Sequence, residues 1–255
     1  MMSTRDWDAV TYDRISLPQQ MWAREQLERL TLRGDEVVLD AGCGSGKVTA
    51  LLVDMVPQGK VYAVDVAPSM VEHTRAALGE RVAASCQDLT ELSLPEPVDA
   101  IFSNATFHWI RNHQKLFTSL ASVLRPGGRL VAQCGGFGNI DAFRLVADEV
   151  AATGQFAPYF TAWKVPWNYA RADITAERLA AAGFVEIETW LEPRPTPLEQ
   201  PADFVRTVCV VRHLDLLPAE LHDSFVDAVL ARAGLPLVLD YVRLNMTARR
   251  SENSL

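Results

Sequence analysis

The chain has 255 residues, with 24 Lys+Arg against 32 Asp+Glu and a formal net charge of −8. That balance excludes nucleic-acid binding driven by charge alone, because phosphate neutralisation needs a basic surface. With 49% hydrophobic and 22% charged residues, the composition is that of a chain with a sizeable core and excludes a disordered one.

In chain order, an irregular N-terminal arm carries Trp7, Tyr12 and Arg14, and a helix is expected over 18–30. From 35 to 141, short β-branched runs at 36–40, 60–65, 82–87, 98–103 and 129–133 alternate with helical patterns at 48–55, 68–78 and 116–124. The last of these repeats Leu116, Leu120 and Leu124 until Arg125-Pro126-Gly127-Gly128 stops it. This rhythm predicts a parallel sheet with crossover helices. Beyond it, helices are expected over 141–153 and 175–182, an aromatic loop over 158–170 and a strand over 185–191. Pro193, Pro195, Pro197 and Pro201 then lead into helices over 202–214 and 218–232, a last strand over 237–247 and a frayed tail over 251–255. The expected organisation is an arm and helix (1–34) closing over a domain (35–255) whose cap comes from about 137–170 and 199–232.

Cys43, Cys86, Cys134 and Cys209 are too widely spaced for a C-x-x-C pair or a compact zinc pattern. They read as free thiols of a reducing compartment. His113, His213 and His222 lack metal-ligand spacing, so no metal is expected. Residues 1–8 have no apolar leader core, and no run approaches the ~18 apolar residues of a membrane span. A cytoplasmic protein is expected, without membrane or nucleic-acid partners, as a monomer or homodimer.

The chemistry-bearing motif is the strand 36–40 running into Ala41-Gly42-Cys43-Gly44-Ser45-Gly46 and then into a helix. Glycines at such a turn let a ligand lie against bare backbone above a helix N-terminus. A dinucleotide fingerprint would need Gly or Ala where Lys47 or Thr49 stands, and a P-loop would need Ser or Thr where Val48 stands. Both phosphate readings are weakened. Asp65, at the end of the next strand, can accept from both hydroxyls of a ribose. After the third strand, Asp88 can accept from an adenine amine while Leu89 packs on the ring.

These segments, together with Asp65-Val66-Ala67-Pro68-Ser69-Met70, Phe102-Ser103-Asn104-Ala105-Thr106-Phe107-His108-Trp109 and Leu124-Arg125-Pro126-Gly127-Gly128-Arg129-Leu130, resemble the successive motifs of class I S-adenosylmethionine-dependent methyltransferases. The resemblance covers about 7–133. Trp7-Asp8 with Tyr12, and Ser103-Asn104-Ala105 before His108-Trp109, resemble the trans-aconitate methyltransferase group within it, with which the closing 240–250 segment is compatible. The chain departs from that group at His108, where the resemblance implies glutamine. The fold implied is a Rossmann-like α/β sheet of seven strands, mainly parallel with the last antiparallel, and a helical cap. By resemblance, Asp40, Gly42, Cys43, Gly44 and Gly46 would face the methionine part of the cofactor. Asp65 would meet the ribose, Asp88 and Leu89 the adenine with Met70 flanking it, Val66 would be a further cofactor contact, and Asn104 would lie beneath the cofactor. Tyr12, Gln20 and Trp7 would close over it from the arm.

Methyl transfer from a sulfonium is an in-line displacement, so alignment and water exclusion supply most of the rate. A carboxylate acceptor needs no base, whereas a hydroxyl or activated carbon wants one, and His108 is the candidate. Trp7, Trp109, Trp163 and Tyr169 are the candidate acceptor contacts, and Arg171, Arg194, Arg206 and Arg212 can pair with a carboxylate. The expected function is methyl transfer from S-adenosylmethionine, leaving S-adenosylhomocysteine, to a carboxylate or hydroxyl oxygen of a small molecule. The rivals are a regulatory or scaffold protein that binds the same cofactor without turnover, and a nicotinamide-dependent dehydrogenase.

Overall fold

The computed structural model describes residues 17–252. The chain divides into two units. One takes the described residues of Met1–Phe137, with Asn168–Glu192 and Arg243–Leu255; the other takes Gly138–Trp167 and Pro193–Val242.

The first unit is built on the strands β1 (Val37–Ala41), β2 (Lys60–Asp65), β3 (Ala83–Cys86), β4 (Val98–Asn104), β5 (Leu124–Gly135), β6 (Phe184–Pro193) and, after a short pair in the other unit, β9 (Val242–Arg250). They form one 7-stranded sheet in the order β3-β2-β1-β4-β5-β9-β6. Pairs from β3 to β5 are parallel, and β9 runs antiparallel to β5. The order reverses at β1, so β1 and β4 diverge at the switch point where open α/β sheets bind ligands.

Apolar residues alternate across the sheet because both faces are covered. On one face, Val38, Ala63 and Phe102 pack with Ala23 and Leu27 of α1 (Leu17–Leu27) and with Leu52 of α2 (Lys47–Met55). On the other, Leu39, Ile101 and Leu130 pack with Leu116 and Leu120 of the helix His113–Val123 and with Leu179 of the helix Ala172–Ala181. Fully burying one such side chain contributes about 2 kcal/mol, so the two layers fix the sheet edge on which the ligand site depends. A further helix, α3 (Pro68–Leu78), starts with proline in its first turn, where the missing N–H is harmless.

The second unit has its own core. Asp141–Ala151 and His222–Ala233 are its longest helices. Phe225 lies edge-on to Phe156 at 5.1 Å and stacks on His213 at 5.7 Å. β7 (Thr196–Pro197) and β8 (Val238–Leu239) pair antiparallel in a separate small sheet.

Three expectations from sequence are corrected. The Pro126-Gly127-Gly128 turn does not separate helix from strand: β5 already begins at Leu124, and the turn is a register shift within its pairing to β4, from Val98↔Leu124 to Ala100↔Arg129. The last strand does not begin at 237, because Val238 and Leu239 are taken by β7, and β9 starts at Val242. The helix expected over 202–214 is broken into Pro201–Phe204, a wider π-helical stretch Val205–Cys209 and Val211–Leu214. The β-branched Val205, Thr207, Val208, Val210 and Val211 crowd one another there, which disfavours regular turns.

Candidate active site

The glycine turn follows β1 and is held from two sides. The N–H groups of Gly42 and Cys43 donate to Val64 O on β2, at 2.7 and 3.0 Å. Thr106, just past β4, donates to Asn104 O at 3.0 Å and to Gly42 O at 3.3 Å. Both Gly42 and Gly46 have positive φ, and a Cβ on either would collide, with Thr106 at 2.1 Å and with Thr74 at 2.8 Å. These two glycines are required by the protein's own packing. Gly44 also has positive φ, at 53°, yet a Cβ there would meet nothing within 4 Å. The turn is therefore closed at both ends and open in the middle, a cradle of bare backbone.

Asp65 stands beside that opening. Its Oδ2 accepts from Gly44 N–H at 3.0 Å and its Oδ1 from Ala67 N–H at 2.9 Å. Burial pushes its pKa up against the pull of those N–H groups. With the Val66 N–H also acting on the carboxylate, three backbone donors share about four lone-pair sites, which leaves room for a vicinal diol. Asp88 caps the short turn Leu89–Glu91 through Thr90 N–H at 2.8 Å and is exposed. Val66 is exposed, whereas Leu89 and Met70 are buried.

Asp40 is 2% exposed, and its Oδ2 accepts from Thr49 Oγ1 at 2.7 Å. Burial pushes its pKa up to about 7; the Thr49 bond lowers it and the Asp65 charge adds to the rise. Cys43 is buried near Thr74, and burial with the Asp40 and Asp65 charges raises its thiol well above the ordinary range. That leaves it a neutral filler without nucleophilic chemistry.

At the neighbouring end of β4, Ala105 has φ 56°, a conformation unusual for a residue with a side chain, and its N–H donates to Gln133 O at 2.8 Å. The strand then turns into Phe107–Trp109. His108 is 8% exposed, with its ring 5.0 Å from Trp109 and 5.7 Å from Tyr169. Its Nδ1 accepts from Gly135 N–H at 3.3 Å, at the end of β5. Burial, aided by the Arg243 charge and by His113, holds its pKa well below the ordinary imidazole range. The ring is neutral, its Nδ1 lone pair is engaged, and its proton is on Nε2.

His108, Trp109 and Tyr169 are thus brought together. Trp163 is not among them: it lies in the second unit, donating Nε1–H to Asp148 at 3.1 Å and packing 4.5 Å from His213. Phe143, Phe156 and Trp167 are likewise buried in that unit. Trp7 and Tyr12 lie outside the described residues, and Gln20 falls on α1. Of the candidate arginines, Arg171 pairs with Asp173, Arg206 with Asp223 and Arg212 with Asp215.

Sequence reading missed a polar line across β5 and β9. Gln133 donates to Asn245 Oδ1 at 2.8 Å, Arg243 Nε donates to Gln133 Oε1 at 3.2 Å, and Asn245 donates to Glu192 at 3.3 Å. The signal was present in the alternation of Arg243, Asn245 and Thr247 with Leu244, Met246 and Ala248. In a strand covered on both faces, such polar positions are placed for a purpose other than packing.

A family model described as a methyltransferase domain matches residues 38–128. The trans-aconitate 2-methyltransferase of Methylobacterium nodulans is 30% identical, over 96% of this chain and 99% of its own. The malonyl-[acyl-carrier protein] O-methyltransferase of Anoxybacillus flavithermus is 32% identical, over 64% of this chain and 66% of its own. Among solved structures, the YcgJ protein of Bacillus subtilis superposes with a TM-score of 0.65 at 15% identity, covering 92% of this chain and all 100% of that one. With near-complete coverage of both sequences by the first of these relatives, and with the sheet order and glycine turn described above, the chain belongs to the class I S-adenosylmethionine-dependent methyltransferases and resembles the trans-aconitate methyltransferase group within them.

Proposed function

We propose that this methyltransferase acts on a carboxylate oxygen of a small molecule. The carrying observation is that the imidazole expected to remove a proton has its Nδ1 lone pair on Gly135 N–H, which leaves its proton on Nε2 and no free lone pair for a base. A carboxylate is already ionised at neutral pH and needs no base. The names of the two relatives, one acting on trans-aconitate and the other on a malonyl group, support the same acceptor chemistry.

The residues present fit the cofactor: an open backbone cradle at Gly44 suits a ligand that must lie close, and the Asp65 oxygens suit a ribose diol. When bound, S-adenosylmethionine would supply a methyl group on a sulfonium, with S-adenosylhomocysteine as the leaving group. The chain's work is alignment and exclusion of water. In this reading Asp40, Cys43 and the glycines at 42, 44 and 46 shape the methionine side and Asp65 holds the ribose. Met70, Asp88 and Leu89 form the adenine side, Val66 is a further cofactor contact, and Asn104 supports the cofactor. Trp109 and Tyr169, beside His108, contact the acceptor. The four cysteines are free and no described helix is long and apolar enough to cross a membrane; both support work in a reducing cytoplasm.

The test is parallel calorimetric titration with S-adenosylmethionine, S-adenosylhomocysteine and NAD, followed by methyl-labelled transfer to trans-aconitate, malonate esters, phenols and aliphatic alcohols. Label in base-labile methyl esters is expected. Label confined to phenol or alcohol ethers would overturn the carboxylate assignment while leaving the family intact.

A further inference from the structure

Resting on the reading of Asp65 and the Gly44 cradle as the cofactor site, we propose that Thr74 is a positioning residue for S-adenosylmethionine. Its hydroxyl holds the Gly44 peptide in the conformation the cofactor meets, without touching the cofactor itself.

Gly44 is the glycine of the turn that packing does not fix. A Cβ there would meet nothing within 4 Å, whereas Gly42 and Gly46 are wedged against Thr106 and Thr74. Its left-handed φ of 53° is therefore kept by hydrogen bonds. The N–H, in the peptide plane before it, donates to Asp65 Oδ2 at 3.0 Å, and the C=O, in the plane after it, accepts from Thr74 Oγ1 at 3.0 Å. Two bonds thus set both planes, since each peptide unit moves as a rigid body. The Cys43 thiol, 3.8 Å from the same carbonyl oxygen, adds only a weak donor. With the Thr74 bond removed, the unliganded turn gains the conformational freedom peculiar to glycine, and binding must then supply the ordering. The loss falls on cofactor affinity for that reason.

Thr74 forgoes a local partner to make this bond. It is fully buried on the face of α3 that also carries Met70 and Val71. A helical threonine commonly turns its hydroxyl to the carbonyl one turn back, which here belongs to Met70. Instead the proton goes to Gly44 O, in the segment between β1 and α2. Gly46 makes the reach possible, because Thr74 Oγ1 stands only 2.8 Å from where its Cβ would be. Met70 lies one turn before Thr74 on the same helix face, and Asp65 ends the strand that leads into the helix. One β2–α3 unit therefore carries the adenine-side methionine, the ribose-side carboxylate and the hydroxyl that fixes the turn.

The experiment compares, on the full chain, Thr74→Val, which keeps the branched shape and removes the hydroxyl, with Thr74→Ser, which keeps the hydroxyl and removes a methyl group. Val71→Ala, on the same helix face, serves as a control for lost packing. Calorimetry reads S-adenosylhomocysteine affinity, thermal melting reads stability, and turnover on an acceptor that takes labelled methyl reads KM for S-adenosylmethionine. Thr74→Val is expected to bind S-adenosylhomocysteine about fivefold to tenfold more weakly, the range of one hydrogen bond, with Thr74→Ser within about twofold of the unmodified protein. KM for S-adenosylmethionine should rise in step, while kcat and the acceptor KM stay within about twofold, as for a group that serves cofactor binding alone. Val71→Ala should lower the melting temperature and leave cofactor affinity unchanged.

Equal affinities for Thr74→Val and Thr74→Ser would overturn the proposal, and so would a loss in Val71→Ala as large as that in Thr74→Val. If Thr74→Val does not fold, Thr74→Ala against Thr74→Ser decides in the same way, since those two differ by the hydroxyl alone. The ribose reading fails separately: unchanged affinity in Asp65→Ala would remove it, while a defect in Thr74→Val would still show the Gly44 peptide held for the cofactor. Absence of cofactor binding by the unmodified chain would overturn both.

Discussion

Around β1 and β2 the site is made of backbone, while around β5 and β9 it is made of side chains. At the glycine turn, Val64 O, Gly44 N–H and Ala67 N–H supply most of the contacts, and Asp65 reaches back only across one βαβ step. At the other end, Arg243, Gln133, Asn245 and Glu192 bond to one another across the last strand added to the sheet. Backbone geometry is dictated by a short run of residues, so it recurs wherever the run recurs. A side-chain network needs partners brought from distant segments, which no short run encodes. The glycine-turn end is therefore the generic half of the candidate site, and the β5–β9 end the individual half.

The largest effect expected is at the turn. Gly42→Val forces a Cβ into Thr106 and a β-branched residue into positive φ, so a loss of about 3 kcal/mol or more is expected. Urea unfolding or loss of soluble protein measures it. Gly44→Val shares the positive-φ strain but has open space instead of a collision, so it should yield folded protein of moderately lower stability with cofactor affinity reduced about tenfold or more, through the lost backbone approach. If both variants fold equally well, the division of the turn into packed ends and an open centre is wrong. Next in size is Asp65→Ala, expected to weaken S-adenosylmethionine binding about tenfold, on the scale of lost hydrogen bonds to a charged group. Unchanged affinity in a folded variant would remove the ribose assignment.

Asp40 gives a smaller effect with a defined sign. Its folded-state pKa is raised to about 7, above that of the unfolded chain at about 4. Between those values the folded protein holds the extra proton. Stability from this group is thus present below pH 4, declines as pH rises to about 7, and is flat above. Asp40→Asn should remove that slope and raise the melting temperature at pH 8 by about 5 °C. A melting profile as steep as that of the unmodified protein would contradict it. The smallest effect is expected for Arg206→Ala, because Asp223 already pairs with it at the surface; the acceptor KM should stay within about twofold, as for most exposed ion pairs.

The same contrast explains what could be read from the sequence. The parallel strands up to 104 were legible because β-branched runs and turn residues sit side by side in the chain, and the glycine turn was legible as spacing. Aspartates at strand ends were legible for the same reason. The start of β5 was not, since a Pro-Gly-Gly turn ordinarily ends an element and here is absorbed as a register shift. Nor was β9, whose onset depends on β7 capturing Val238 and Leu239. His108 was singled out, but its Gly135 partner lies on another strand, and that partner decides whether the ring accepts or donates a proton. Arg243 falls within the closing 240–250 segment with nothing in its neighbours to set it apart, whereas Arg171, Arg206 and Arg212 are occupied by aspartates.

The position of β9 also orders events during synthesis. It follows the other six strands of this sheet in the chain, yet it sits between β5 and β6, so the sheet remains gapped until β9 has left the ribosome. Strands β1 to β5 can associate earlier through their shorter connections. A nascent chain would then acquire its glycine turn well before the polar residues of β9 arrive. Truncation just ahead of Val242 would leave an unpaired edge on β5 beside an intact glycine turn, a species prone to aggregate rather than to work.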